Sequence, residues 1–148
     1  MAVGSGTGIA LVGLHRACLA GADLDAAPGH PVVDDELRGV LTAIAETIIP
    51  ETDTPGAIAA GVPRFAELIL TDWHTPEERQ PVIDGMRALD DACFDKHGRG
   101  FAACAAAEQV SALSAVQDGE MFKVLKSLVV NGYFTSELGA TSQPGYDP

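Results

Sequence analysis

At 148 residues, 47% of them apolar, the chain is the size of one domain with enough apolar mass for a core. Phe, Trp and Tyr supply only 5% of the residues, so close-packed small helices are expected rather than an aromatic-rich sheet, and the predicted fold class is all-α, a multi-helix single domain. The formal charge of −12, from 21 acidic against 9 basic residues and with no basic run, excludes nucleic acid as a partner. An acidic surface of this kind serves solubility or steers a basic partner over a Debye length of about 8 Å.

Residues 1–33 read as a signal remnant or an irregular amino-terminal segment, and residues 34–148 as the helical domain. The apolar run Ile9 to Leu14 is too short for a membrane span. Small residues follow it at Ala20-Gly21-Ala22, as at the end of an export signal, but no Lys or Arg precedes it. Cys18 stands before Leu19-Ala20-Gly21 rather than after, which is not the lipoprotein cleavage order. Pro28-Gly29 and Pro31 keep the lead into the domain irregular.

Asp34 or Asp35 is placed to cap a helix whose apolar residues Leu37, Val40, Leu41, Ile44, Ala45 and Ile48 recur at helical spacing. Pro50 ends it, and the polar loop Glu51-Thr52-Asp53-Thr54-Pro55-Gly56 follows. A short helix is expected over Ala57 to Ala60, broken by Gly61. Pro63 opens another that runs toward Trp73. Thr75-Pro76-Glu77-Glu78 is a capping box with Pro at the first helical position. The helix it starts should bury Val82, Ile83, Met86, Leu89 and Phe94, tolerate Pro81 near its beginning, and end at Gly98 after Lys96 and His97.

Residues 105–116 are helical by composition, with Val110, Leu113 and Val116 inward, and Asp118 is placed to cap the next helix. That helix starts near Gly119 and carries Met121, Phe122, Leu125, Leu128 and Val129 on one stripe, with Lys123 and Lys126 outside it. An irregular tail is expected from Asn131-Gly132 onward.

Chemistry-bearing patterns are sparse. Cys18, Cys93 and Cys104 make no C-x-x-C or Cys/His pairing at metal spacing. Cys93 and Cys104 fall at apolar positions, which favours buried thiols over a disulfide. His15, His30, His74 and His97 stand in no Glu-x-x-His pattern and form no pair of histidines at the spacing that a helical metal site needs. Glu67 with Asp72, and Asp84 with Asp91, fit solvated helix faces better than a general acid–base pair.

Ser111, Ser114, Ser127 and Ser136 stand in no G-x-S-x-G elbow, and Gly4-Ser5-Gly6-Thr7-Gly8 lacks the G-K-[ST] ending of a phosphate loop. The 51–56 loop lacks the alternating oxygens and closing Glu of a calcium loop. A helix-capping loop is the plainer reading of it. Tyr133 and Phe134 are adjacent aromatics at a helix end, suited either to anchoring a partner or, for one ring, to folding back on the core. The expected partner interface is therefore Thr52, Asp53, Thr54, Pro55 and Gly56 with Tyr133, Phe134 and Thr135.

Two segments carry a family likeness: Ala45-Glu46-Thr47-Ile48-Ile49-Pro50-Glu51-Thr52-Asp53-Thr54-Pro55-Gly56-Ala57, with Gly61-Val62-Pro63 after it, and the run from Leu125-Lys126 through Gly132-Tyr133-Phe134-Thr135-Ser136-Glu137-Leu138-Gly139. With Trp73, Leu89-Asp90, Gly98 to Phe101 and Glu108-Gln109 between them, the chain resembles the gluconate 2-dehydrogenase subunit 3 family over roughly residues 37–146.

The resemblance implies a non-catalytic small subunit of a membrane-associated or periplasmic dehydrogenase, itself without a membrane span. Its large partner would be a flavoprotein of the glucose–methanol–choline type that oxidises sugars or sugar acids. FAD would sit in that partner, with no cofactor in this chain, and electrons would leave through a cytochrome c subunit or domain. The small subunit would support folding, assembly and twin-arginine export of the flavoprotein.

The chain departs from the family pattern in having no Arg-Arg pair. Either the true start lies upstream, or the partner carries the signal, or the protein stays cytoplasmic. The family tail also usually continues past a segment like Tyr146-Asp147-Pro148. Two alternatives remain beside this reading: a free-standing acidic helical module that binds another protein, and a small redox enzyme with an unrecognised cofactor.

Overall fold

The computed structural model describes residues 32–142, in which six α-helices and one 3₁₀ turn follow one another with no strand among the described residues. Of the expected signal remnant or irregular segment at residues 1–33, residues 1–31 lie outside that range, as do the last six residues of the chain. Helix α1 (Asp35–Ile48) starts where Asp34 accepts the Leu37 N–H at 2.9 Å, and it buries Leu37, Val40, Leu41, Ile44 and Ala45 on one stripe. The core already takes in Val33, with Val32 packed against it, just ahead of the helix.

Residues 57–61 form hydrogen-bonded turns, not the short helix expected over Ala57 to Ala60. The cause is Gly61, whose φ of 71° puts it in the left-handed region and redirects the chain before a second helical turn can form. Helix α2 (Val62–Asp72) then begins, with Pro63 in its first turn. Helix α3 (Pro76–His97) has the full capping box: Thr75 accepts the Glu78 N–H and Glu78 accepts the Thr75 N–H. Pro81 does not interrupt it, because the carbonyl left without a donor belongs to the exposed Glu77. Gly98, at φ 69°, ends it in the left-handed conformation.

The apolar face of α3 is Val82, Ile83, Met86, Leu89 and Cys93, and Phe94 is 60% exposed. Steps of four, three and four residues lead from 82 through 86 and 89 to 93, so residue 94 falls about 100° past the stripe. A 3₁₀ turn, Phe101–Ala103, folds the chain back and buries Phe101 completely.

Helix α4 (Ala106–Ala115) buries Leu113, with Val116 half-buried on the core, while Val110 faces out. Helix α5 (Glu120–Thr135) is capped by the backbone of Gly119 and takes no side-chain cap from Asp118. The Gly119 N–H is already turned back onto the Val116 carbonyl at 2.9 Å, which leaves Asp118 one residue too early to reach the first free amides. On α5, Met121, Leu125 and Val129 are buried, and Phe122 and Leu128 pack partly against the core.

The carboxyl-terminal segment is helical where an irregular tail was expected. Helix α5 runs through Asn131-Gly132 to Thr135, and α6 (Glu137–Thr141) follows, capped by Ser136. Gly132 is no breaker here, because the Phe65 ring of α2 fills its place: a Cβ on Gly132 would lie 2.6 Å from Phe65 Cδ1. An interior glycine costs about 1 kcal/mol of helix propensity, and the close approach of α2 to α5 that it permits offsets that cost.

Helix α5 packs against both α2 and α3, with α1 crossing all three. The main core joins α1, α3, the 3₁₀ turn and the first half of α5, and a smaller cluster of Ala45, Ala57, Val62, Val129 and Tyr133 closes one end. Arg38 clasps Glu67 across α1 and α2 through Nη2 and Nε, at 2.8 and 3.0 Å, and also contacts Asp35. That pairing with Glu67 raises the already high pKa of the guanidinium.

Candidate partner interface

The smaller cluster carries a loop that is held from below at three places. Glu46 lies in the last turn of α1, and its carboxylate accepts the Glu51 N–H at 2.9 Å and the Ile58 N–H at 3.0 Å. The two sides of the loop are thus tied to a single side chain. Ala57 N–H closes onto the Ile49 carbonyl at 2.9 Å, and the Thr52 N–H bonds Thr54 O at 3.0 Å within the loop. Gly56 lies flush against the Glu46 carboxylate: a Cβ there would sit 2.4 Å from Oε1 and 2.6 Å from the Glu51 nitrogen.

The third support comes from α5. The Tyr133 hydroxyl donates to the Pro55 carbonyl at 2.8 Å across 78 residues of sequence, while its ring packs in the small cluster at 6% exposure. The end of α5 is held in turn by α6. Ser136 Oγ donates to the Tyr133 carbonyl at 2.7 Å and accepts the Gly139 N–H at 3.0 Å. A Cβ on Gly139 would overlap the Tyr133 carbonyl oxygen at 1.9 Å, so glycine is needed for space.

Of the eight residues expected at an interface, the structure brings the loop and the end of α5 together but gives them different roles. Thr52, Asp53, Thr54, Phe134 and Thr135 are exposed, and Pro55 is half-buried. Gly56 and Tyr133 are buried supports. Phe134 is 49% exposed, with its ring edge-on to Tyr133 at a centroid distance of 5.5 Å. One aromatic of the pair therefore faces the core and the other faces out.

Sequence reasoning missed Glu46, although its position one turn before Pro50 is where a carboxylate can reach the free amides of the following loop. It also missed Ile58 and Leu138 as exposed apolar residues, at 53% and 43%. Trp73, at 77% the most exposed large apolar side chain among the described residues, stands at the far end of α2 from Val62. At 1.5 Å per residue, that places it about 16 Å from the Tyr133 cluster.

A concavity of about 470 Å³ opens between α3, α4 and the start of α5, with Ala88, Ala92, Cys93, Ala112 and Met121 among its walls. At one edge Glu108 caps α4 by accepting the Ala105 N–H at 2.8 Å, and it pairs with Arg99 at 2.7 Å and His97 at 3.2 Å. The backbone N–H, then Arg99, hold its carboxyl below the ordinary range. Gln109 beside it donates to the Phe101 carbonyl at 3.0 Å and meets Thr47 at 3.4 Å, which ties α4 to the 3₁₀ turn and α1. Of the acids read as solvated helix faces, Glu67 is held by Arg38, and Asp84 accepts from Gln80 at 2.8 Å.

Among the described residues, no group of three or more His, Cys, Asp and Glu is placed to hold a metal ion, and no helix is long and apolar enough to cross a membrane. Comparison with curated proteins and with solved structures finds no match. Several positions that carried the likeness in sequence shape the fold: Glu46, Asp90, Gln109 and Tyr133 each make a specific hydrogen bond, and Gly56, Gly100, Gly132 and Gly139 are glycines that a neighbour presses against. The model of one family, gluconate 2-dehydrogenase subunit 3, matches residues 35–148, and the chain belongs to that family.

Proposed function

We propose that this chain is a non-catalytic small subunit that binds and stabilises a larger dehydrogenase subunit and helps it to assemble or be exported. In this reading the large subunit is an FAD-dependent flavoprotein of the glucose–methanol–choline type that oxidises sugars or sugar derivatives. A cytochrome c subunit or domain takes the electrons, the complex works in the periplasm, and this chain carries no cofactor. Membership of the gluconate 2-dehydrogenase subunit 3 family supports the coarse form of the reading.

The observation that carries the finer form is the Tyr133–Pro55 hydrogen bond. It fixes a polar loop, residues 52–55, beside an outward-facing Phe134. A rigid polar rim next to an exposed aromatic anchor loses little conformational entropy on docking, which is what favours binding at such a surface. The large subunit therefore seats on Thr52, Asp53, Thr54, Pro55, Phe134 and Thr135, with Gly56 and Tyr133 holding that surface from behind.

Co-purification of the tagged large subunit with wild-type and Phe134→Ala chains tests the surface. Retention is expected to fall at least about tenfold for Phe134→Ala, the loss of a hot-spot aromatic, while the circular dichroism of the isolated chain stays the same. Equal retention of the two would place the partner elsewhere.

A further inference from the structure

The segments that form the 52–55 loop and the end of α5 are one-sided in charge. Residues 47–63 and 127–142 contain Glu51, Asp53 and Glu137 and no Lys, Arg or His. All three acids are exposed, and among the described residues no hydrogen bond or ion pair engages their carboxylates. Several acids elsewhere are compensated: Arg38 takes Asp35 and Glu67, Arg87 pairs with Asp34, and Arg99 and His97 share Glu108. The backbone that bears the three free carboxylates is fixed. Glu51 donates its N–H to Glu46 at 2.9 Å, and the Tyr133 hydroxyl holds Pro55 at 2.8 Å. Ser136, which caps α6 and bonds the Tyr133 carbonyl at 2.7 Å, places Glu137 in that helix's first turn. The same segments carry the exposed apolar side chains Ile58, Phe134 and Leu138. A partner face without cations would strip water from these carboxylates and give them nothing in return, whereas Lys or Arg placed opposite restores the lost interactions.

Given the docking surface proposed above, on which this reading rests, we propose that the large subunit receives Phe134 in an apolar socket rimmed by Lys and Arg, which meet Glu51, Asp53 and Glu137. Charges at a rim act ahead of contact, over a Debye length of about 8 Å, so they set the association rate and its dependence on salt. The aromatic acts only once it is seated, so it sets dissociation. A chain of net charge −12 is drawn to any basic surface, so a test of this rim must compare variants of equal charge.

Binding of the full chain to the immobilised large subunit is followed by surface plasmon resonance in NaCl from about 0.01 M to about 1 M, over which the Debye length shrinks from about 30 Å to about 3 Å. Glu51→Gln, Asp53→Asn and Glu137→Gln combined should slow association about tenfold at the low end, flatten its salt dependence, and change dissociation by less than about twofold. Asp91→Asn, Asp95→Asn and Asp118→Asn combined remove as much charge from exposed positions elsewhere and should slow association by less than about twofold. Equal slowing by the two triple variants, or none by the first, overturns the basic socket. Phe134→Ala tells that failure from a misplaced surface. If it speeds dissociation at least about tenfold while the first triple variant associates at the wild-type rate, the surface stands and its basic socket falls. If Phe134→Ala leaves both rates unchanged, the surface itself is wrong.

Discussion

Two chain reversals in this molecule are built alike and used differently. After α1, Glu46 takes two loop amides and presses on Gly56; after α3, Asp90 takes the Phe101 amide and presses on Gly100. In both, a helix carboxylate satisfies backbone N–H donors of the segment that follows the helix, and a glycine lets the chain come flush against it. The second reversal turns its apolar residue inward, with Phe101 at 0% exposure, and ties itself to α4 through Gln109. The first keeps Thr52, Asp53 and Thr54 in solvent and is fastened from behind by a tyrosine 78 residues away. A loop held this firmly without supplying the main core is available for display, and that contrast is what supports the partner surface proposed for it.

The contrast can be broken first at its core side. Phe101→Ala should cost about 3–5 kcal/mol, the range for emptying a buried aromatic site. Urea unfolding measures it, and a loss below about 1 kcal/mol would mean that the second reversal is as dispensable to the core as the first. Gly56→Ala and Gly100→Ala should each cost about 1–3 kcal/mol by forcing an occupied contact apart. Gly56→Ala should be the worse, because a backbone nitrogen as well as a carboxylate must shift.

A smaller effect sharpens the display side. Tyr133→Phe keeps the ring and removes one hydrogen bond, for about 1 kcal/mol of stability. It should weaken capture of the large subunit by more than its stability loss explains, since the loop is then held only by Glu46 and its own backbone. Equal losses in both would make Tyr133 a core residue and nothing more.

The smallest effect is in acid. Glu78 is held below its ordinary value chiefly by the Thr75 backbone N–H, and Glu108 by the Ala105 N–H and then Arg99. A carboxyl with a lowered folded-state pKa adds stability above the ordinary carboxylate range and loses it as the pH falls toward the lowered value. Stability should therefore decline below about pH 4.5, and Glu78→Gln with Glu108→Gln should flatten that decline in thermal melts taken across pH. An unchanged slope would remove these two caps from the acid response.

What the sequence made legible was local. Asp34, Thr75 with Glu78, and Gly98 act within four residues of themselves, and each cap stands where its pattern put it. The difference at Gly132 has a distant cause. Gly132 looks like a stop until Phe65, 67 positions earlier, is seen to occupy its missing side chain, and the helix then carries Tyr133 inward and Phe134 outward. Phe94 and Val110 were assigned inward because they are apolar, and the stripe passes instead through Cys93 and Leu113. For the interface, pattern alone brought the loop and the aromatic pair into view. Their separation into supports and exposed residues required the Tyr133–Pro55 contact, which no spacing rule contains.

The central claim, that this chain is needed by a flavoprotein and does no chemistry itself, is tested most directly by producing the large subunit with and without it and measuring bound flavin and dye-reducing activity. Folded, flavin-loaded, active large subunit is expected only when this chain is present, and the chain alone is expected to reduce no dye even with added FAD. A large subunit that is equally loaded and active on its own would contradict it.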